Sequence, residues 1–240
     1  MASEVKHALS SQEREQVRSE TRSEGVLLPK STQLNNTAVT KELSTTVGQL
    51  VPGKSVLLYG SPLVYYTTMV VIRELLKKVS IVGVVDAANR YDAYGLAQLA
   101  ARDGINPMEV LNRVFISRVF TAFQADAVLT RGVEPFLEAS NSKVLIVLGL
   151  LRTFYDDQIS GREAERSLAR IEKKFDTLKK KGISILLASE NLVPDQKERA
   201  GFPIRLKSMS DDVYEVNADS LPHAPSGNVV WNKRMRPLLR

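Results

Sequence analysis

Five short apolar runs, each followed by a longer stretch of helical period, constrain this chain more than any other feature. The runs are 55–59 (SVLLY), 81–85 (IVGVV), 114–118 (VFISR), 144–150 (VLIVLGL) and 183–188 (ISILLA). Most are apolar at consecutive positions, as strands are in a parallel sheet covered on both faces. Between them the spacing predicts helices over 64–78, 92–103, 121–139 and 162–181. In the last of these Leu168, Ile171, Phe175 and Leu178 recur at intervals of three and four. They make one apolar stripe, closed by Lys180, Lys181 and Gly182. A β-α-β-α succession joined by right-handed crossovers builds a three-layer α/β domain around a mainly parallel central sheet.

The ends of the chain have a different texture. Residues 1–45 are polar and rich in Ser, Thr, Glu and Arg, and read as a flexible extension. Such a segment buries too little apolar surface to offset its ordering entropy. The core domain is expected over 46–240, with a basic tail. After Ala188, residues 191–203 read as a loop, and 204–207, 212–216 and 228–231 as short strands joined by turns containing Pro222, Pro225 and Gly227. Antiparallel additions at the sheet edge are the expectation for these three.

Composition removes several classes of chemistry. None of the 240 residues is cysteine, which excludes disulfides, Cys-ligated zinc and thiol catalysis. The two histidines, His7 and His223, have no partners at metal-ligand spacing, so no metal site is expected. No run approaches the roughly 18 apolar residues of a membrane span, and the opening MASEVKHALSSQEREQ has no apolar h-region. A cytoplasmic protein without a membrane partner is the expectation. The net charge of +6 permits attraction to nucleic acid without demonstrating it.

In open α/β folds ligands sit at the carboxyl ends of the strands. The first run ends at Tyr59-Gly60 and is followed by SPLVYYTT. A phosphate-binding loop reads G-x-x-x-x-G-K-[ST] here, because glycines let backbone amides wrap the phosphates, Lys neutralises them and Ser/Thr binds Mg²⁺. Gly60 fills the first position and Thr67 the last, but Tyr65 and Tyr66 stand where Gly-Lys belongs. The alternative for this pair is two aromatics packed over a filled-in pocket.

Pro52-Gly53, the run 55–59, Gly60 and Thr67 resemble the opening of the RecA/RadA/KaiC core. The stretch VVDAANRYDAYGLAQLAARDGINPMEVLNRVFISRVF (84–120) resembles the archaeal RadA and eukaryotic recombinase segment, with its G-[ILV]-[ND]-P-x-x-V-L-x-x-[VI] feature at 104–114. VLIVLGLLRTFYDDQISGREAERSLAR (144–170) resembles the second nucleotide motif and the loop after it, and KKGISILLASEN (180–191) the strand leading to the second DNA loop. The resemblance covers about 50–240 and implies a RecA-like core. It also marks three departures. Tyr66 replaces the phosphate-binding lysine. Gly149, or Leu148 if the register slips, falls where the magnesium-associated aspartate closes the fourth strand, and Ala88 where the water-polarising acid follows the second; Asp86 remains, outside the catalytic role. Phosphoryl transfer depends on positioning and charge stabilisation, so hydrolysis by the family mechanism is not expected, and neither is a cofactor.

What the resemblance implies is a RadA-type paralogue, a pseudo-ATPase that assists recombination or DNA repair by binding DNA, a recombinase, or both. The family's DNA contacts come from the loops after the fourth and fifth strands, which here contain Arg162 and Arg166, then Lys197, Arg199 and Arg205. Acids lie among them, so the alternative is charge-balanced surface. The tail WNKRMRPLLR carries Lys233, Arg234, Arg236 and Arg240 with no acid, a candidate phosphate contact. Trp231 reads better as a core residue than as a base-stacking one. The family polymerises through an F-x-x-A segment ahead of the core. No Phe precedes Phe115, and Phe136-Leu137-Glu138-Ala139 lies inside a predicted helix, so a monomer or small oligomer is expected. Two rivals stay open: a pseudo-ATPase scaffold without DNA affinity, and an atypical ATPase in which Lys54 or Arg73 replaces the missing lysine.

Overall fold

A computed structural model describes residues 50–191 and 197–216. β1 (Ser55–Gly60) is followed by α1 (Leu63–Leu75), β2 (Val82–Asp86), α2 (Ala93–Arg102), α3 (Pro107–Leu111) and β3 (Val114–Arg118). α4 (Ala122–Ala127), a π-helical turn (Val128–Gly132) and α5 (Val133–Ala139) lead to β4 (Val144–Leu148). α6 (Leu150–Phe154) and α7 (Gly161–Lys180) precede β5 (Ser184–Glu190). A 3-10 turn (Lys197–Arg199) and α8 (Phe202–Ser208) precede β6 (Asp212–Val216). The strands form one parallel sheet in the order β3-β2-β4-β5-β1-β6.

The pleat divides each strand between two cores. Val56, Leu58, Val84, Ile146, Leu148 and Leu186 face α1, α2 and α3, and pack with Met69, Ile72, Leu96 and Leu99. Leu57, Val85, Leu145, Val147, Ile185 and Leu187 point the other way, onto Leu129, Phe154, Leu168, Phe175 and Phe202 of the later helices. A strand buried on both faces must be apolar at successive positions, which is why these runs carry no alternation. The layers also create a crevice. β1 and β2 lead into helices on one face, while their neighbours β5 and β4 lead into helices on the other, so the chain parts between them at the carboxyl ends of the strands.

Helix boundaries follow local side chains. Asp92 accepts a hydrogen bond from the Gly95 amide at 2.8 Å and starts α2. Asn106 and Pro107 start α3, and Thr121 starts α4. Ser160 accepts from the Glu163 amide and opens α7 as a Ser-x-x-Glu box.

The expected antiparallel edge is corrected. Residues 204–207 belong to α8, where Pro203 sits in the first turn and Phe202 and Leu206 share the buried face. This helix is a full crossover, so it returns the chain to the amino ends of the strands. β6 therefore pairs with β1 in parallel, Val56 opposite Asp212 and Gly60 opposite Val216. Residues 228–231 lie outside the described residues, as do 1–45 and the basic tail. The helix expected over 121–139 is interrupted by the π turn, and the fourth strand stops at Leu148, because Gly149 turns left-handed (φ 61°) and starts α6.

Phe175→Ala on the buried face of α7 is expected to cost about 3–5 kcal/mol by leaving a cavity. Arg166→Gln on the opposite face should stay within about 0.5 kcal/mol of the parent. Urea unfolding midpoints at constant m-value check both.

Candidate functional site

At the end of β1 the backbone does not open into a phosphate cradle. Only Ser61 and Pro62 separate β1 from α1, so Tyr65, Tyr66 and Thr67 are all helical. The Val64 amide donates to the Ser61 carbonyl at 3.0 Å and the Tyr65 amide to the Pro62 carbonyl at 3.3 Å. Amides spent in a helix's first turn are not free to wrap an anion. Gly60 is required for a different reason. Its φ is 137°, and a Cβ there would lie 2.3 Å from the Val216 carbonyl oxygen of β6. Thr67 is buried on α1, and Tyr66 is partly buried against the core of that face.

The positions singled out as departures meet in space. A Cβ on Gly149 would sit 2.4 Å from Ala88 Cβ and 2.9 Å from the Tyr65 hydroxyl oxygen. Tyr65 is 5% exposed, with its ring in the core and its hydroxyl donating to Glu190 Oε1 at 3.5 Å. Burial, reinforced by the Glu190 carboxylate, pushes its phenol up to about 12, so it stays neutral and protonated at physiological pH. The Arg90 guanidinium lies 6.0 Å from the Tyr65 ring centroid. The carboxyl ends of β2, β4 and β5 thus close on a tyrosine.

Two acids remain there, and both are engaged. Asp86 is fully buried. Its Oδ1 accepts from the backbone amides of Ala88 (3.2 Å) and Arg90 (3.0 Å) and its Oδ2 from that of Tyr91 (2.9 Å), and Arg118 Nε lies 3.7 Å from Oδ2. It holds the turn after β2. Glu190, the last residue of β5, takes an ion pair from Arg152 beside the Tyr65 hydroxyl. Among the described residues no group of three or more His, Asp or Glu could hold a metal ion.

The sequence reading missed Glu190 and Arg152. It ended the fifth strand at Ala188, whereas the strand runs two residues further and buries Glu190. The proposed lysine substitutes are also displaced. Lys54 precedes β1 at the opposite end of the sheet. Arg73 lies in the last turn of α1, 9% exposed, paired with Glu74 and with Asp103.

The expected DNA-contacting residues separate into four groups. Arg162 and Arg166 are exposed on α7 and Lys197 on the 3-10 turn. Arg205 is half-buried, with Nη2 2.9 Å from Glu172. Arg199 is corrected outright. It is 2% exposed and donates to the carbonyls of Phe154 (2.7 Å), Asp156 (2.8 Å) and Ile159 (2.6 Å), pinning the segment after α6. Lys233, Arg234 and Arg236 lie outside the described residues.

A second surface carried no signal in the sequence reading. Among the described residues β3 is an edge strand, and Phe115, Ile116, Phe120 and Phe123 are 42–65% exposed around it. A groove of about 330 Å³ runs beside them, lined by Gly83, Val85, Phe115, Ile116, Val133 and Phe136. The Phe115 and Phe136 rings meet at 5.5 Å, and the π turn contributes Val128 and Gly132 to the same wall. Gly83 gives Phe136 its seat, since a Cβ there would lie 2.8 Å from the ring. The signal available was three Phe residues within 115–123, in a run read as covered on both faces.

No protein-family model matches the chain, and no curated protein matches it.

Gly149→Asp, which restores a carboxylate at the end of β4, is expected to destabilise the fold by at least about 1–3 kcal/mol, through the overlap with Ala88 and the left-handed backbone. It should produce no ATP turnover. Denaturant midpoints and a phosphate-release assay on the same sample check both halves.

Proposed function

We propose that this chain is a non-hydrolysing paralogue of the RecA/RadA recombinases, an accessory protein of recombination or DNA repair that works by binding a partner. The observation that carries the reading is the packing of Tyr65 between Ala88, Gly149 and Glu190, where nucleotide chemistry would need an open, charged site. The six-stranded parallel sheet flanked by helices is compatible with a RecA-like core. The atypical-ATPase alternative loses its support, because Lys54 and Arg73 stand away from the loop they would have to serve.

A fold that keeps its core but fills its crevice acts through its surface. The surface best equipped for a protein partner is the β3 edge. Edge strands present unpaired backbone groups that accept an added strand, and apolar pockets beside them select its side chains. Exposed apolar side chains contiguous with such a groove mark an interaction site. A recombinase segment in extended conformation, with an apolar side chain seated against Phe115 and Phe136, is the partner this reading requires.

The test is co-elution with a RadA-type recombinase in size-exclusion chromatography, with and without Mg-ATP, alongside a turnover assay. The expected outcome is an ATP-independent complex, no turnover, and at least about a tenfold loss of affinity in Phe115→Asp, since a charge would replace a desolvated apolar anchor. ATP turnover abolished by Thr67→Ala would overturn the reading. Absence of any complex would move the chain to the scaffold alternative.

A further inference from the structure

The pairing of β3 with β2 fixes which backbone groups of the edge are free. The Arg113 carbonyl accepts from the Val82 amide at 3.0 Å, and the Val119 amide donates to the Asp86 carbonyl at 3.1 Å. Backbone groups alternate in direction along a strand, so Arg113, Phe115, Ser117 and Val119 turn theirs inward to β2. Val114, Ile116 and Arg118 turn theirs outward, and among the described residues no backbone group pairs with them. Side chains alternate too. Phe115 and Ser117 stand on the face of α5, where Phe115 meets Phe136, and Val114, Ile116 and Arg118 on the face of α2 and α3. Phe115 and Ile116 are both exposed, so the edge is apolar on both faces. A helix laid along it would cover one face only, whereas a strand covers both.

A second copy of β3 fits this edge. In an antiparallel pair about a two-fold axis normal to the sheet, opposed residues must share a face and aim their backbone groups at each other. Centred on Ile116, the register does both over the whole of Val114–Arg118. Ile116 exchanges both hydrogen bonds with the partner's Ile116, and Val114 does so with the partner's Arg118. Every outward donor and acceptor of the strand is then used, while any other symmetric register that keeps the faces together leaves part of it unpaired. On the α5 face each Phe115 ring lies opposite the partner's Ser117, large against small. On the other face each Arg118 arrives beside the partner's Val114, at the end of the strand where α3 carries Glu109. That glutamate is exposed and has no ion pair among the described residues, so the ends of the seam are complementary in charge. The two Arg118 side chains stay at opposite ends, about 13 Å apart along the strand and beyond the Debye length of about 8 Å.

We propose that this chain forms a two-fold dimer through β3, centred on Ile116, in which the six-stranded sheet continues into its copy. The dimer itself does not depend on the recombinase reading. Its regulatory consequence rests on that reading: the two occupants of the edge exclude each other, so the dimer holds the site closed until a tighter partner takes one protomer.

A seam of five residues a side is smaller than a standard interface, so dissociation in the micromolar range is expected. Sedimentation velocity of the full chain across that range measures it. Ile116→Lys and Ile116→Glu each set two like charges face to face on the axis, and each is expected to raise the dissociation constant at least about tenfold. Their equimolar mixture sets unlike charges there and should recover association as a heterodimer. Unfolding midpoints matching the parent's confirm that the variants fold. A parent that stays monomeric throughout the range would overturn the proposal, leaving the edge to a foreign strand or to the chain's own residues outside 50–216. So would a dimer indifferent to both substitutions, or a mixture no more associated than its components. A RadA-type recombinase that binds a monomeric parent would leave the partner reading standing without the dimer. A parent dimer, sensitive at Ile116, that such a recombinase neither binds nor dissociates would support the dimer and remove the partner reading.

Discussion

The contact on which the upper half of this molecule depends is steric. Gly149 Cα, Ala88 Cβ and the Tyr65 hydroxyl occupy one small volume at the carboxyl ends of β2 and β4. Any side chain at 149 would displace one of the other two. Tyr65 in turn needs α1 to begin at Leu63, since only a helical residue there directs its ring down into the core. That early start consumes the amides that would face a phosphate. The absence of a cradle and the absence of acids at positions 88 and 149 are thus one packing solution. A crevice emptied of ligand would be a cavity with a free-energy cost, and an aromatic side chain removes it.

Charge at this end is internal to the protein. Asp86 is saturated by three amides of the turn it organises, and Glu190 is matched to Arg152 and the Tyr65 hydroxyl. Buried carboxylates persist only when their lone pairs are met, and these are met by groups fixed in the fold. Removing Arg152 or Tyr65 would expose Glu190 to an unpaired interior. The residues that look most catalytic by type are the ones most committed to structure.

Much of the sheet was legible because burial on two faces forces uninterrupted apolar runs, and those runs need no context to be recognised. Their limits came within two residues of the observed strands, and at the end of β4 a single φ, that of Gly149, decided the difference. Direction was not legible at the chain's end. Asp212–Val216 is a strand in either reading, and only the helical nature of Phe202–Ser208 makes it parallel. The departures at Tyr65, Ala88 and Gly149 could be listed from sequence, but not that they touch. Arg199 shows the opposite failure. A cation in a charged loop reads as surface, yet three carbonyls left over at the end of α6 make a buried guanidinium the better solution.

Net charge was a poor guide for the same reason: a total of +6 says nothing about which cations are spent. Pairing decides that, and it holds Arg170 to Asp126, Lys174 to Glu134 and Arg205 to Glu172. The edge of the sheet obeys a related logic. Natural sheets blunt an edge strand with Lys, Pro, a bulge or extreme shortness, because unpaired backbone beside apolar side chains recruits other chains. β3 carries Val114, Phe115, Ile116 and Ser117 before its first charge at Arg118, and Phe120 and Phe123 extend the apolar surface beyond it. A strand left this way is tolerable where something covers it. A covering partner accounts for the Phe115–Phe136 groove, the π turn in its wall and the glycine in its floor together, whereas a solvated surface would require none of them.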